Sequence, residues 1–296
     1  LSAGINPTED ALAIENAESP YANILAVKAG NETSPKILAL KAALESKAVA
    51  DYISATYGGS VVSVVANPGD GYDASVNYEE LKGTTITVAA TPDPHAQILK
   101  EAKKILEARE ITLEIKEYND YIQPNNVVDS GEVDANYYQH KPFLDAAVEH
   151  RRLKIASVAP IHILPMAAYS KKVKKITDLA DGASVTIPND PANGGRALLL
   201  LEDAGLLKLK PGIGVKATVL DIVSNPKHLR IREVEAAQVP RTLDDVDLAV
   251  VNSNYAIGVG LNPVTDSIYL ESKTSPYAVV VAARQGHEKD AKVQAL

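Results

Sequence analysis

The sequence lacks several features that mark common classes of protein. Cysteine is absent, which excludes disulfides, zinc-thiolate sites and thiol catalysis together. Tryptophan is also absent and phenylalanine occurs once, so thirteen tyrosines supply nearly all of the aromatic side chains. No apolar run reaches the roughly 18 residues of a membrane-spanning helix, and the first residues show neither the basic nor the apolar region of a signal peptide. These absences predict a soluble chain that begins within a domain.

A strong basic character is also missing. Acidic residues outnumber basic ones by 38 to 30, which gives a net charge of -8. A nucleic-acid surface normally shows a clustered excess of Lys and Arg. The one basic run, residues 171–175, is short and precedes a predicted helix, so we interpret it as a solvated face. The composition therefore predicts no nucleic-acid partner.

A long-range repeat is the most unusual feature that is present. Residues 19–27, SPYANILAV, return near the other end of the chain as SPYAVVVAA, residues 275–283. The offset of 256 residues holds without a gap from residues 4–40 to residues 260–296. It is far longer than the roughly 20 to 50 residues of a solenoid repeat. One whole domain plus an overlap explains it, and the sequence is therefore predicted to be a fragment of a tandem protein.

This interpretation divides the chain into three parts. Residues 1–66 are predicted to be the C-terminal part of a preceding homologous domain, which completes the fold as in a circular permutant. Residues 67–83 begin with clustered turn formers and are predicted to be a linker, and residues 84–296 form the main domain. Which copy of the duplicated strand occupies the sheet stays open.

Strand and helix patterns alternate after the linker. Asp93 and Pro94 are predicted to start a helix that places Ile98, Leu99 and Ala102 on one face. Such alternation implies a mainly parallel sheet with helices on both faces, and ligands of these folds bind beyond the carboxyl ends of the strands. The predicted strands are residues 85–89, 112–118, 155–158, 184–188, 229–235, 248–252 and 275–283.

The stretch PNDPANGGR, residues 188–196, is the most informative candidate site. It joins the end of a predicted strand to an apolar helix and places Arg196 in or near the first turn. A cation is unfavourable there against the helix dipole unless an anion joins it. Free N-H groups of the helix start and a guanidinium could together hold a ligand carboxylate. The alternative is an arginine that is paired with a neighbouring Asp or Glu.

Two further stretches suit a pocket for an amino acid. Tyr118, Tyr121, Tyr137 and Tyr138 are close in sequence, the last two at a predicted strand end, and could wrap an apolar or thioether side chain. Ordinary core packing explains them equally well. Residues 250–255 end an apolar strand with asparagines, which can contact both an ammonium and a carboxylate, although Asn also favours turns.

No motif predicts catalysis, a metal or a cofactor. The carboxylate cluster of residues 244–247 lies where acidic turn residues are common, and the six histidines show no metal-binding spacing. Nucleophile-elbow, Walker A and dinucleotide-binding motifs are absent from the sequence. Catalytic, metal and cofactor sites are therefore all predicted to be absent.

Several long stretches resemble the NlpA/MetQ lipoprotein family, the methionine-binding receptors of bacterial ABC importers. The resemblance runs from about Thr84 to Leu296, and residues 1–65 resemble the C-terminal end of the same family. The stretches are TPDPHAQIL (91–99), DYIQPN (120–125), DANYYQHKPFL (134–144), YSKK (169–172), IPNDPANGGRALLLLEDAGLLKLK (187–210) and EAAQVPRTLDDVDLAVVNSNYA (235–256).

The resemblance implies an α/β fold of the type II periplasmic-binding-protein class, in which two lobes are hinged around one ligand cleft. Lobe 1 would comprise about residues 84–165 and 270–296, and lobe 2 about residues 166–269. The implied ligand-binding residues are an arginine, two asparagines, a histidine and two tyrosines, with Asn189 and His95 as weaker candidates. By position they are Arg196, Asn193, Asn252, Tyr121, Tyr138, His140, Asn189 and His95. The family usually has Phe at the position of Tyr138, which affects the side-chain specificity.

Function and partners are likewise implied by the resemblance. The chain would capture an amino acid, most simply methionine, and deliver it to the permease and ATPase of an ABC importer. The alternatives are a methionine-containing dipeptide or another amino acid as the ligand, or an enzyme on the same fold. The parent protein would be extracytoplasmic and attached to the membrane through a lipid anchor. Because the duplicated strand has one slot in the sheet, a domain-swapped oligomer is a further expectation.

Overall fold

The computed structural model describes residues 21–271, which form two α/β lobes in succession along the chain. Lobe 1 comprises residues 21–165 and lobe 2 residues 166–271. The helices and strands of lobe 1 are β1 (Ala22–Lys28), α1 (Pro35–Leu44), α2 (Lys47–Tyr57), β2 (Val62–Ser63), α3 (Tyr78–Leu81), β3 (Thr85–Ala90), α4 (Gln97–Glu107), β4 (Thr112–Glu117), α5 (Gln123–Ser130), β5 (Ala135–His140), α6 (Lys141–Arg151) and β6 (Ile155–Ile163).

Lobe 2 is built on a smaller sheet and one long helix. Its helices and strands are β7 (Ala167–Tyr169), β8 (Ser184–Pro188), α7 (Pro191–Asp203), β9 (Lys208–Leu209), β10 (Ile222–Ser224), β11 (Arg230–Val234), β12 (Leu248–Val251), α8 (Ser253–Gly258) and β13 (Tyr269–Leu270). The order in its main sheet is β11-β8-β12-β7-β13, with β8 parallel to β11 and β12. Strands β7 and β13 are antiparallel to their neighbours. The predicted α/β class is confirmed for both lobes.

The sheet of lobe 1 has six strands in the order β2-β6-β1-β5-β3-β4. Strand β3 is parallel to β4 and β5, as predicted, whereas β1 lies antiparallel between β5 and β6. The first copy of the duplicated strand therefore occupies the centre of this sheet. The second copy, residues 275–283, lies outside the described residues.

The N-terminal segment belongs to the same core as the rest of lobe 1. Leu25, Leu40 and Ile53 are completely buried in one cluster with Val88 and Leu99. Helix α2 is capped by Ser46, whose hydroxyl accepts from the N-H of Val49, and ends with Gly58 in the left-handed region. This packing is what the permuted arrangement requires. The origin of residues 1–66 in a preceding homologous domain stays a prediction.

Residues 67–83 connect the N-terminal segment to β3 and pack against lobe 1. Gly71 has a φ of +96°, and a Cβ at this position would lie 2.8 Å from a methyl group of Ile105 in α4. The guanidinium of Arg109 stacks 4.3 Å from the centre of the Tyr72 ring. The connection is therefore held against α4 along its length rather than only at its ends.

Two local predictions were wrong. Asp93 does not cap a helix, because its side chain accepts no capping hydrogen bond within residues 21–271, residues 92–96 are irregular, and regular α-helix begins only at Gln97. Tyr137 and Tyr138 lie within β5, not at a strand end. All six residues of β5 are buried, and the strand lies between β1 and β3. Because several of these buried side chains are polar, the sequence shows no apolar pattern that would mark a central strand.

No helix within residues 21–271 combines the length and apolar character needed to cross a bilayer. The basic run and the acidic turn of the sequence meet at the surface of lobe 2, where Lys171 pairs with Asp244 and Lys172 with Asp247. Hydrogen bonds from the backbone and side chain of Ser184 lower the pKa of Asp247 to about 2. These carboxylates therefore have structural partners.

Candidate functional site

A narrow cleft lies between the two lobes. Side chains from both lobes meet there, since β5 and the start of α6 face the starts of α7 and α8. The lining residues are Asn23, Tyr121, Tyr138, Gln139, His140, Phe143, Leu164, Met166, Asn193, Arg196, Asn252, Ser253 and Asn254. A cleft at this position, between two lobes, matches the usual site of small ligands.

Three aromatic rings of lobe 1 form one wall of the cleft. The ring centre of Tyr121 is 6.0 Å from that of Tyr138 and 5.6 Å from that of Phe143. The Tyr138 hydroxyl donates to the carbonyl of Tyr121 at 3.0 Å, and the Tyr121 hydroxyl donates to Oδ1 of Asn254 in lobe 2 at 2.5 Å. Burial raises the pKa of both tyrosines well above the ordinary value. The wall is therefore neutral and offers an apolar surface to a ligand side chain.

Asn193 is the centre of a buried network that joins the lobes. Its Oδ1 accepts from Nε2 of His140 in lobe 1 and from Nδ2 of Asn252, each at 2.9 Å. Its Nδ2 lies 3.1 Å from both carboxylate oxygens of Asp190. The Asn193 side chain is thus saturated by protein partners. Burial, followed by the charge of Arg196, lowers the pKa of His140 to about 3, so this imidazole is neutral.

Asn252 carries the clearest unused hydrogen-bonding atom of the cleft. This side chain is 7% exposed and donates its Nδ2 to Asn193, whereas its Oδ1 is buried and accepts no hydrogen bond within residues 21–271. A buried acceptor without a partner costs free energy. A ligand that brings an N-H donor into the cleft would remove that cost.

Arg196 lies deeper in α7 than the sequence suggested. It is the sixth residue of the helix, and the N-H of Asn193 in the first turn is capped by the carboxylate of Asp190. The predicted combination of free helix N-H groups with the guanidinium is therefore wrong at Asn193. Burial raises the pKa of Asp190 even though hydrogen bonds from Asn193 oppose the shift.

The guanidinium of Arg196 has a carboxylate partner, as the alternative interpretation of the sequence allowed. Its Nε and Nη2 donate to the two oxygens of Glu271 at 2.8 and 2.5 Å, and Nη2 also donates to the carbonyl of Leu164. Glu271 in turn accepts from the N-H of Met166. Because residues 164–166 cross from lobe 1 to lobe 2, this ion pair fixes Arg196 at the crossing point while it lines the cleft.

Close packing places Arg196 and Asn193 on the cleft side of α7. Gly195 lies against a short helix at residues 214–216, where a Cβ would come within 2.2 Å of the carbonyl oxygen of Val215. Only glycine permits this approach. The opposite side of the helix is therefore free to face lobe 1.

Six of the eight predicted site residues line the cleft together, and two do not. Asn189 is exposed just before α7, with its N-H donating to the carbonyl of Val234, because the chain turns away from the cleft there. His95 is buried in lobe 1 behind β1 and reaches the cleft only through Asn23. In the tyrosine cluster, Tyr137 points into the core of lobe 1 and Tyr118 packs against a separate cluster near α5.

Sequence reasoning missed several lining residues. Asn23 lies in the duplicated strand, which was not expected to contribute to the site. The second copy has Val279 at the matching position, and this polar-to-apolar difference could have indicated a role for Asn23. Phe143 and Met166 are the only residues of their types in the chain, yet no pattern pointed to them. Asn254 stood in the predicted asparagine-rich stretch without a role of its own, and it accepts the hydroxyl of Tyr121.

The arrangement suits the capture of a small zwitterion. One wall is aromatic, one buried amide oxygen lacks a donor, and a guanidinium and a carboxylate are held side by side. Within the described part of the chain, no three His, Asp or Glu side chains converge in a way that could hold a metal ion.

Comparison with known proteins places the chain in a family. Residues 1–65 and 86–296 match the family described as NlpA lipoprotein. The D-methionine-binding lipoprotein MetQ of Escherichia coli K12 is 41% identical over 237 residues, which cover 79% of this chain and 85% of that protein. A nutrient binding protein from Burkholderia cenocepacia, solved bound to methionine, is 46% identical with a TM-score of 0.63 and matches over 71% of this chain and 88% of its own.

A third relative is named as part of a transporter. The structure of a periplasmic substrate-binding protein of an ABC transporter from Coxiella burnetii is 43% identical with a TM-score of 0.62, over 71% of this chain and 89% of its own. The named relatives are binding proteins, and the resemblance found in the sequence is confirmed, as is its α/β periplasmic-binding-protein fold. The chain belongs to the NlpA lipoprotein family.

Proposed function

We propose that this chain is an extracytoplasmic substrate-binding protein that captures an amino acid, methionine first, and delivers it to an ABC importer. Asn252 lines the cleft, and its buried Oδ1, which has no donor within residues 21–271, carries the proposal. The α-ammonium of an amino acid supplies such a donor. The methionine bound by the Burkholderia cenocepacia relative and the printed names of the other relatives support the choice of ligand.

The charges around the cleft favour a zwitterion over an anion or a cation. Arg196 and Glu271 form a buried pair that is neutral as a unit. A ligand with one ammonium and one carboxylate adds a charge of each sign, so no net charge is transferred into the low-dielectric cleft. We assign Arg196 to the ligand carboxylate and Asn252 to the ammonium, with Asn193 and His140 holding Asn252 in place.

The aromatic wall is the part that we assign to the ligand side chain. The rings of Tyr121, Tyr138 and Phe143 meet at 5.6 to 6.1 Å and present faces and edges to the cleft. A thioether is polarizable and gains from contact with aromatic rings, whereas a charged side chain would lose its hydration there. Methionine fits this wall better than a polar amino acid does.

A ligand series tests the proposal. We expect L- or D-methionine to raise the melting temperature and to be recovered unchanged, since the proposed role includes no covalent chemistry. Methionine amide, which lacks the carboxylate, and N-acetylmethionine, which lacks the ammonium, should both bind far more weakly. Glycyl-methionine and leucine in the same series address the alternatives of a dipeptide or another amino acid. Equal binding of all compounds, or conversion of methionine, would contradict the proposal.

Asn252→Ala provides the matched site variant, with Asn189→Ala as its control because Asn189 is exposed outside the cleft. Loss of the ammonium acceptor should weaken methionine binding about tenfold to hundredfold, as for a hydrogen bond to a charged group. The control should bind like the original chain in calorimetry. Unchanged affinity in Asn252→Ala would remove this residue from the site.

The partners follow from the transport role. The liganded chain should stimulate ATP hydrolysis by the permease and ATPase of its cognate importer, and a lipid anchor on the parent protein would keep it at the membrane. A domain-swapped oligomer through the duplicated strand stays a prediction that light scattering can test.

A further inference from the structure

We infer that His95 is a positioning residue that aims the amide of Asn23 into the cleft, an inference that rests on the proposed function. Asn23 lies in β1, is 5% exposed and lines the cleft. Its Oδ1 is 2.9 Å from Nε2 of His95, whose Nδ1 is 2.7 Å from the hydroxyl of Thr91. His95 itself is not a lining residue, so any effect on the ligand passes through Asn23.

The partners of His95 determine which of its nitrogens carries the proton. The Asn23 oxygen can only accept, so Nε2 must be the donor. A neutral imidazole has one N-H, and Nδ1 therefore accepts from the Thr91 hydroxyl. With its oxygen engaged behind the strand, Asn23 presents Nδ2, which has no hydrogen bond within residues 21–271. The result is an N-H donor pair directed to the cleft, suited to a carboxylate or carbonyl oxygen.

The surroundings keep this arrangement fixed. The ring of His95 is enclosed by Tyr137 and His162, each with its ring centre at 5.1 Å. Burial lowers the pKa of His95 to about 3 and that of His162 well below the usual range, so both stay neutral near pH 7. Protonation would reverse the hydrogen bond with Thr91; burial disfavours that state and outweighs a hydrogen bond with the Asp93 backbone, which raises the pKa of His95.

The duplicated strand shows what the amide adds. The second copy places Val279 at the position of Asn23. Valine has nearly the same size but could neither accept from His95 nor donate to a ligand. The two copies therefore differ in hydrogen-bonding capacity at position 23. The Asn23→Val variant places the residue of the second copy at this position of β1.

A double-mutant cycle tests the inference. We expect His95→Leu to weaken methionine binding about tenfold, and His95→Gln, whose amide can still donate to Asn23, to restore most of it. In an Asn23→Val background, His95→Leu should have no further effect on affinity. Unfolding measured without ligand separates stability from binding. Equal loss of affinity in both backgrounds would show a merely structural role and overturn the inference.

A second measurement does not depend on the ligand. In ¹⁵N NMR spectra of the ligand-free chain, His95 should appear as the neutral tautomer protonated at Nε2, both at pH 7 and at pH 5. A proton on Nδ1, or titration of His95 near pH 6.5, would contradict the inference. If methionine fails to bind the original chain, the proposed function is wrong while this spectrum still decides the role of His95.

Discussion

The two lobes contribute different chemistry to the same cleft. Lobe 1 supplies the aromatic wall of Tyr121, Tyr138 and Phe143, whereas lobe 2 supplies three asparagines and the guanidinium of Arg196. The difference follows from the local fold: β5 and α6 bring large side chains to the cleft, and the starts of α7 and α8 bring short polar ones. We propose that recognition is divided in the same way: lobe 2, with Asn23 of lobe 1, reads the charged groups common to all amino acids, and the aromatic wall of lobe 1 reads the side chain.

Removing Arg196 should break this division most severely. Arg196→Ala deletes the positive charge and leaves Glu271 buried without its partner, so we expect at least a hundredfold loss of affinity for every amino acid, with lower stability. Calorimetry with methionine and leucine measures the loss. Arg232→Ala, on an exposed residue of β11, is the control.

The double variant Arg196→Gln with Glu271→Gln separates charge from folding. It keeps the site neutral and should recover stability while binding stays weak. Strong binding by either variant would mean that lobe 2 does not hold the carboxylate, and the assignment of the two lobes would have to be reversed or abandoned.

Shortening the aromatic wall should have a smaller and more selective effect. Phe143→Ala removes one ring of lobe 1 without touching the polar groups of lobe 2, so methionine should lose about tenfold in affinity. Alanine, which cannot reach the wall, should lose little. The ratio of the two affinities is the measurement. An equal loss for both ligands would show that lobe 1 does not read the side chain.

The same contrast explains how much the sequence could predict. The lobe 2 strands at residues 184–188 and 248–252 were found because apolar runs ended at turn formers, and their strand-end asparagines were found with them. Strand β5 contains NYYQH, and its polar residues obscure the alternation of apolar and polar side chains that marks a strand. The sequence therefore placed Tyr137 and Tyr138 at a strand end, which was wrong. Functional polarity in a central strand works against the signal that defines the strand.

Long-range partners were beyond the sequence altogether. Arg196 pairs with Glu271 at a separation of 75 residues, and His95 pairs with Asn23 at a separation of 72. Neither spacing leaves a local pattern. Of the two alternatives left open for Arg196, the protein carboxylate is observed as Glu271, and the ligand carboxylate stays a proposal.

Mild acid should lower the stability of lobe 1 more than that of lobe 2, and of the changes considered it should have the smallest effect on ligand affinity. His95, His140 and His162 are all buried in lobe 1, and burial lowers the pKa of the first two to about 3 and of the third well below its usual range. Because unfolding lets these groups bind protons near pH 6.5, their contribution to stability is full above that pH. It is lost as the pH falls, by about 1.4 kcal/mol per pH unit for each histidine.

Lobe 2 has no matching buried histidine within residues 166–271. His228 is exposed, and burial raises the pKa of Asp190, so protonation of Asp190 favours the folded state. Between pH 7 and pH 5, protection from hydrogen exchange, corrected for the slower intrinsic exchange in acid, should therefore fall in β1, β5 and β6 more than in β8 and β12. Methionine affinity at pH 6, where both lobes remain folded, should stay within about twofold of its value at pH 7, because His140 is neutral at both. An equal loss of protection in both lobes would mean that the buried histidines do not control the acid stability of lobe 1.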